Sequence, residues 1–411
     1  MPVLSDPIPL LSETCIPPTI LGTATLTTAA MHGATPDALA AMIERHDTDP
    51  AARLYDTGIA RQLAFRRAEG LDLQDEALAT APVFRVGRAA AEAPLRVLAL
   101  VAPGELMANT PLDFISNHLD VRLDLLFLLP GQLLPAMVPD HDVAFFAAGD
   151  ADAETLRRLQ ALFAAWPRPV LNDPRHLSLL ARDRLSALLS GVPELICPPA
   201  VAVGRKQLDR WLAEGGDVRH LLPNCAYPLL VRPRGSHAGR GLKKIDSPAE
   251  FAAHLMFSFE PDYYVTAFAE YRSPDGLYRK YRVAFIERQP FLCHMACSRA
   301  WMVHYLNAGM TDSADKRAEE AQAMADFPAA FAMRHHRAFA ALHDRLPFEY
   351  YSIDCGETPD GRLLVFEADT AAIIHLMDDA EMFPYKHVQM RRVFAAFDGM
   401  LRRHAGTAGQ C

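Results

Sequence analysis

The stretch Tyr227 to Ile245, YPLLVRPRGSHAGRGLKKI, decides how the chain is read. Leu229, Leu230 and Val231 form a short apolar run, as in a strand, and the run ends at Arg232. Gly235, Gly239 and Gly241 then fall within seven residues. Glycine at that density lets backbone N–H groups turn inward around an anion with no Cβ in the way. Arg232, Arg234, His237, Arg240, Lys243 and Lys244 surround the glycines with positive charge or donors. The stretch therefore predicts strand, glycine-rich loop and strand, with a phosphate as the ligand. A hairpin tip with solvated charges has the same composition, but a cation closing the strand just ahead of the loop favours the phosphate. The spacing is neither the P-loop pattern nor the dinucleotide fingerprint.

Around this stretch lie 411 residues, enough for two or three domains of roughly 100–200 residues each. Half the residues are hydrophobic and 22% are charged, as in ordinary globular proteins. A net charge of −9 argues against nucleic acid as a partner. No apolar run approaches the roughly 20 residues that span a bilayer, so no membrane partner is expected. The N-terminus lacks a basic region followed by an apolar core, and the seven cysteines are odd in number and scattered. Both features predict a cytoplasmic protein with reduced thiols. Cys293 and Cys297 flank His294, yet no second ligand pair follows at zinc spacing, so a buried strand is the better reading.

Residues 1–35 are rich in Pro and Thr and carry little periodicity. From Asp37 to about Ala81 the pattern is helical, broken once at Asp49-Pro50. The piece Ala51 to Phe84 resembles a single degenerate tetratricopeptide repeat: Gly58, Ala77 and Pro82 fall at its offsets, while its aromatic positions are not kept. A helical hairpin packed on the next domain fits equally well. Such helices would be the place for a peptide or protein partner. Apolar runs at 95–101, 125–129, 143–147 and 170–171 predict strands buried on both faces. Helical segments lie between them, notably Glu154–Trp166 after a cap at Asp152. The alternation predicts a small parallel α/β domain. Asn109-Thr110-Pro111 reads as a helix cap, with a strand-end ligand loop as the other reading. Pro174 to Leu189 reads as a helix, and Ser247 to Glu250 opens another through a capping box. Tyr263–Phe268, Tyr278–Ile286 and Phe291–Ser298 read as strands. A long helix follows over Ala314 to Arg345, with His335-His336 solvated.

Phe348–Cys355 and Arg362–Asp369 predict two strands around the turn Thr358-Pro359-Asp360-Gly361. Glu367 and Asp369 are two apart and project from one face. A two-residue loop would put Asp354 on that face, whereas a three-residue loop with a glycine bulge would turn it away. Val365 and Phe366 place the acids beside a core, where carboxylates are costly unless paired or bound to a cation. Salt bridges to the abundant arginines would satisfy them. The basic loop upstream favours Mg²⁺ instead, which takes a few carboxylates and completes its shell with water and phosphate oxygens.

From about Val170 onward the order of these parts resembles the ATP-grasp superfamily, especially its glutathione synthetase and ribosomal-protein glutamate ligase branch. Ala181-Arg182-Asp183-Arg184-Leu185 is similar to the helix that supplies a nucleotide-contacting lysine, here Arg184. Leu229 to Gly241 is similar to the strand and glycine loop that folds over the phosphates, with Arg232 where the family usually has lysine. Tyr281-Arg282-Val283 matches the strand whose arginine contacts the transferred phosphate. Asp354, Glu367 and Asp369 match the metal-ligand acids, Asp369 replacing asparagine. The resemblance implies an α+β ATP-grasp domain at 197–405. It also implies a preceding small α/β domain at 94–196, and an N-terminal helical segment occupies 1–93. It implies ATP and Mg²⁺, with Mn²⁺ as a substitute, and contacts to the nucleotide from Gly235, Ser236, His237, Gly239 and Gly241. The edge Tyr263 to Phe268 would meet the adenine through the backbone of Thr266, Ala267 and Phe268. Arg282 and His304 would be the catalytic pair. The implied activity is ligation of a carboxylate to an amine through an acylphosphate, on amino acids or peptides. A phosphotransferase and a non-catalytic ATP-binding protein on the same fold are the competing readings. The departures are Lys280 two residues before Arg282, where the family usually has aspartate, and Thr370 to His375 in place of a glycine-rich loop.

Overall fold

The computed structural model describes residues 6–87, 94–149, 152–236 and 239–406. The continuous apolar runs become the buried strands of one sheet. In chain order the first half holds β1 (Leu10–Ser12), β2 (Thr19–Ile20), α1 (Gly22–Met31), α2 (Pro36–His46), α3 (Pro50–Leu63) and α4 (Arg67–Thr80). It continues with β3 (Val83–Val86), β4 (Arg96–Val101), α5 (Asp113–Ser116), β5 (Arg122–Phe127), β6 (Met137–Pro139), β7 (Val143–Phe146), α6 (Ala153–Ala165) and β8 (Val170–Leu171). Six strands pair in the order β2-β3-β5-β4-β7-β8, parallel except between β3 and β5. β7 is buried at every residue and β4 at all but its first, which is why neither alternates with polar residues. The expected parallel α/β unit is present, but two of its strands, β2 and β3, precede residue 94. Helices α1 to α4 are thus inserted between neighbouring strands, and the boundary expected at 93/94 falls inside one sheet. Ile43, Tyr55, Ile59 and Leu78 from these helices share a core with Val97, Ala99 and Leu123 of the sheet. Asn109 caps no helix: its amide donates to Ala102 O and accepts from Ala102 N, both at 2.8 Å, pinning the loop after β4. Beside it, Thr110 lines a cavity of about 60 Å³ with Tyr55 and Gln74.

The second half holds α7 (Arg182–Leu189), β9 (Leu195–Ile196), β10 (Ala200–Gly204), α8 (Arg205–Ala213), β11 (Leu229–Pro233), β12 (Lys243–Ile245), α9 (Pro248–Met256) and β13 (Asp262–Ala267). The helix expected from Pro174 is a 3₁₀ turn as far as Leu180, and Ala181, extended at ψ 135°, separates it from α7. β10-β13-β11-β12 form an antiparallel sheet. Next come β14 (Tyr278–Ile286), β15 (Gln289–Ser298), α10 (Ala314–Asp326), α11 (Phe331–Arg334), α12 (His336–Arg345), β16 (Tyr350–Glu357), β17 (Leu363–Asp369) and α13 (Pro384–Gly406). The single helix expected over 314–345 is three pieces. Pro328, which has no N–H and crowds the preceding turn, sits in the first break. His335, expected in solvent, is 3% exposed and lies 3.1 Å from Glu357, while His336 is exposed. The strand reading of Cys293 and Cys297 holds, both being buried on β15.

The second sheet of this half runs β15-β14-β16-β17-β9, antiparallel except for β17 with β9. Several contacts tie it to the first half. The Asn172 amide donates to Tyr350 O at 2.8 Å and accepts from Tyr350 N at 2.9 Å. Helix α13, which sequence reading did not anticipate, sets Phe397 between Phe145 of β7, at 6.1 Å, and Tyr350 of β16, at 5.0 Å. The result is a mixed α/β architecture: a largely parallel sheet, then two further sheets in an α+β arrangement, as the resemblance implies. Among the described residues no helix is long and apolar enough to cross a membrane.

Helices α3 and α4 pack backbone against backbone. A Cβ on Gly58 would stand 2.7 Å from Gly70 O, and one on Gly70 would stand 2.6 Å from Gly58 O. The helical-hairpin reading of this segment describes the pair. Gly58→Ala is expected to push the helices apart and to lower stability by about 1–3 kcal/mol. A fall in the denaturant midpoint against wild type measures it, and an unchanged midpoint refutes the close crossing.

Candidate active site

The acidic hairpin closes with Thr358 N donating to Arg362 O at 3.0 Å, and Gly361 sits at φ +82°. This is the longer, glycine-bulged turn, which by itself would carry Asp354 away from Glu367. A second irregularity corrects it. Between Asp354 and Cys355 the ladder skips Phe366, so Asp354 pairs with Glu367 while Cys355 pairs with Val365. A bulge re-aims the side chains beyond it. On its other side Asp354 pairs with Arg282 of β14. Arg282, Asp354 and Glu367 therefore lie in one row across three strands. Lys280 and Asp369, each two residues along, share that face.

Asp354 is 3% exposed. Its Oδ1 accepts from Arg282 Nε at 2.8 Å, and its Oδ2 accepts from Lys280 Nζ at 2.8 Å and Arg282 Nη2 at 3.1 Å. Burial alone would raise its pKa, but the two cations hold it well below the usual carboxylate range. Glu367 accepts from Arg182 Nη2; burial alone would raise its pKa, but Arg182, Lys280 and Arg232 together keep that carboxyl low as well. Asp369 accepts from Ala371 N at 2.7 Å, yet burial, with Glu367 adding to it, raises its pKa.

The cationic wall is built at the end of β11. Arg232 is 9% exposed and donates to Ser236 Oγ at 3.3 Å and to Ser236 O. Ser236 Oγ donates in turn to Pro233 O at 2.8 Å. Among the described residues no carboxylate pairs with Arg232, and burial, with Arg182 nearby, brings its pKa down to about 10. Gly235, Gly239 and Gly241 all have left-handed φ, between +70° and +72°, and a Cβ on Gly241 would stand 2.8 Å from Pro233 Cδ. The loop thus folds back on its own strand. His237 lies outside the described residues. Arg232 feels both Arg182 and Glu367, and Glu367 feels Arg232. The basic strand end and the acidic hairpin therefore face each other across Arg182.

Three expectations change here. Arg184 is exposed, and Arg182 reaches the acids instead, also donating to Phe366 O at 3.2 Å. Residues two apart on a helix point to nearly opposite sides, so only one of the two can face the sheet. Both stood in the same quoted motif. β13 is no edge: it lies between β10 and β11. Ala267 N donates to Pro199 O at 2.9 Å and Phe268 N to Pro228 O at 3.1 Å, so these N–H groups are already used, and Thr266 is paired on both sides. What this end of the strand offers is the Phe268 ring, with Lys244 Nζ 4.3 Å from its centroid and Trp301 edge-on at 5.8 Å. An aromatic face flanked by a cation suits a flat base.

The third change concerns the metal. Among the described residues no three His, Cys, Asp or Glu side chains are gathered as around a metal ion. Both Asp354 oxygens are already bonded to cations. Glu367 Oε1 and Asp369 Oδ2 have no bond among the described residues, and their strand face is shared. Two carboxylate oxygens fit Mg²⁺ or Mn²⁺ when phosphate oxygens and water complete the shell.

His304 opens a 3₁₀ turn, with its N–H donating to Asn307 Oδ1 at 3.1 Å. Burial, then Lys280 and Arg282, depress its pKa and favour the neutral ring. Two histidines not assigned to the site from sequence join it. His294 pairs with Arg282 across β15, and burial beside that guanidinium lowers its pKa well below normal. His375, in the segment after β17, is pushed down to about 4 by burial, with Lys386 and Arg282 adding to it. No spacing in the sequence links either residue to Arg282.

No protein-family model and no curated protein sequence matches the chain. Solved structures that resemble it include the VanG D-Ala:D-Ser ligase from Enterococcus faecalis, at 13% identity and a TM-score of 0.46, over 75% of this chain and 99% of that one. A RimK domain protein ATP-grasp from Sphaerobacter thermophilus is 19% identical with a TM-score of 0.38, over 73% and 98%. The D-alanine-D-alanine ligase from Coxiella burnetii is 12% identical with a TM-score of 0.45, over 76% and 97%. At such identities and scores the likeness fixes no activity.

Arg232 and Asp354 should respond oppositely to truncation. Arg232→Met removes a buried cation that lacks a carboxylate and is expected to leave the melting temperature unchanged or raised. Asp354→Ala strands Lys280 and Arg282 and should cost about 3–5 kcal/mol. Parallel thermal and urea unfolding of the two variants checks this, and equal losses would contradict the charge assignment.

Proposed function

We propose that the chain is an ATP-grasp enzyme, an ADP-forming ligase that joins a carboxylate to an amine on an amino acid or peptide substrate. The observation that carries this reading is the buried Arg232, without a carboxylate among the described residues, close to Arg182 and to Glu367, whose strand face Asp369 shares. A buried cation lacking its counter-charge, next to two acids with unused oxygens, suits a ligand that is anionic and arrives with a divalent cation. A nucleoside triphosphate with Mg²⁺ is such a ligand. Its base lies against Phe268, and its phosphates meet Arg232 and the loop that begins at Gly235.

Glu367 and Asp369 would hold the Mg²⁺, whose contribution when bound is to draw charge from the phosphate oxygens. Arg282 and Lys280, fixed by Asp354, face the group in transfer. A substrate carboxylate oxygen attacks the γ-phosphorus; that O–P bond forms as the bond to the β-phosphate oxygen breaks, and ADP leaves. An amine nitrogen then attacks the acyl carbon, the C–O bond to phosphate breaks, and inorganic phosphate departs. The amine must lose a proton, and His304, whose ring burial, Lys280 and Arg282 favour as neutral, is the residue proposed to take it. Preorganised donors aimed at developing charge supply most of such an acceleration.

ADP release against a panel of amino acids and peptides, with hydroxylamine to trap the acylphosphate, is the test. Arg282→Met is expected to lower kcat by about 10²–10³-fold. Glu367→Gln and Asp369→Asn should lose most activity while staying folded by circular dichroism. Full turnover by both acid variants would refute the cation assignment. A phosphorylated product without free phosphate would make the enzyme a phosphotransferase. Nucleotide binding without ADP release on any substrate would make the chain a binding protein.

A further inference from the structure

We propose that Lys280 stands where Asp354, a metal ligand by the resemblance, would otherwise hold a divalent cation of its own. Asp354 then positions Lys280 and Arg282 instead of ligating a metal, and one cation is bound, by Glu367 and Asp369. The inference rests on the nucleotide reading given above and deepens it.

The argument is one of occupancy. Asp354 has two oxygens and is 3% exposed, so few approaches to it remain. Arg282 Nε takes Oδ1 at 2.8 Å, and Lys280 Nζ takes Oδ2 at 2.8 Å with Arg282 Nη2 at 3.1 Å. A metal ion on either oxygen would sit against an ammonium or a guanidinium within a few ångströms, where like charges repel strongly away from bulk water. The register sets up this arrangement: Arg282 is the direct cross-strand partner of Asp354, and Lys280 lies two residues along the same face. Glu367 and Asp369 differ in just this respect. Each engages one oxygen, with Arg182 and with Ala371 N, and keeps the other unbonded among the described residues.

Lys280 also has capacity to spare. An ammonium has three donors, and the bond to Asp354 is its single hydrogen bond among the described residues. Its side chain remains 17% exposed. One donor is fixed on Asp354, and two are left for anionic oxygens in the cleft. That is the bridging task, carboxylate on one side and phosphate oxygen on the other, that a divalent cation would otherwise perform.

The test counts metal ions rather than turnover. The full chain is dialysed to equilibrium against MnCl₂ with the non-hydrolysable analogue AMPPNP, and bound manganese and bound nucleotide are measured separately. Wild type is expected to hold about one Mn²⁺ per bound nucleotide, the fewest that a carboxylate-and-phosphate site of this kind can use. Asp354→Asn, which keeps the side chain's shape but turns one acceptor oxygen into an NH₂ donor, should retain that ion at unchanged circular dichroism. Glu367→Gln should lose it at unchanged circular dichroism. Lys280→Asp, which removes the ammonium and adds a carboxylate, should move the ratio towards about two. A wild-type ratio near two, or loss of manganese in Asp354→Asn equal to that in Glu367→Gln, would overturn the inference while leaving the nucleotide reading intact. No AMPPNP binding by wild type at all would overturn both.

Discussion

A buried carboxylate between two cations is the constraint on which the site depends. Asp354 lies on the middle of three strands, and its hydrogen bonds to Arg282 and Lys280 lock the orientation of both. Left without them, a carboxylate so buried would shed its charge by taking up a proton. The pairing forces the registers of β14, β16 and β17 to agree. One irregularity brings that about, the residue skipped beyond Asp354 in its pairing with β17, while β14 pairs with β16 without a shift. With a regular ladder after the glycine turn, Asp354 would face the other side of the sheet and the acids would be divided.

Charge on the opposite wall is left unbalanced. Arg232 is as buried as many core residues, yet among the described residues its hydrogen bonds go to Ser236 and not to an acid. Its nearest electrostatic neighbours include a second guanidinium, Arg182. Folding alone does not favour such an arrangement, since burial and like charge both penalise it. An anion in the cleft relieves both penalties. The same reasoning accounts for the neutral histidines: burial first, and then the charge of Arg282, favours the neutral rings of His294, His304 and His375.

Residues remote from the cleft hold its walls in place. Asn172, at the end of β8, bonds both backbone groups of Tyr350, and α13 wedges Phe397 between β7 and β16. Gly149, after β7, packs so closely on the segment following Asp369 that a Cβ there would stand 2.9 Å from Ala371 Cβ. The parallel sheet thus abuts the exit of the acidic hairpin. The helices α1 to α4, embedded between β2 and β3, bury their apolar faces in the same core.

By itself the sequence determined the element types and most of the chemistry. Unbroken apolar runs dictated buried strands, clustered glycines dictated a left-handed loop after β11, and Thr358 to Gly361 dictated a hairpin with acids on one strand. These are local properties, fixed by propensity and by the two-residue period of a strand. Tertiary structure decided which groups meet. Whether Asp354 faces Glu367 hangs on one skipped residue in a ladder, and whether Arg182 or Arg184 reaches the acids hangs on how α7 is rotated. β13 became an interior strand through pairing with distant partners, and Asp354 lost its free oxygens to a lysine on a strand far away in the chain. Strand register and helix rotation follow from packing across the whole core, so short-range sequence carries no signal for them.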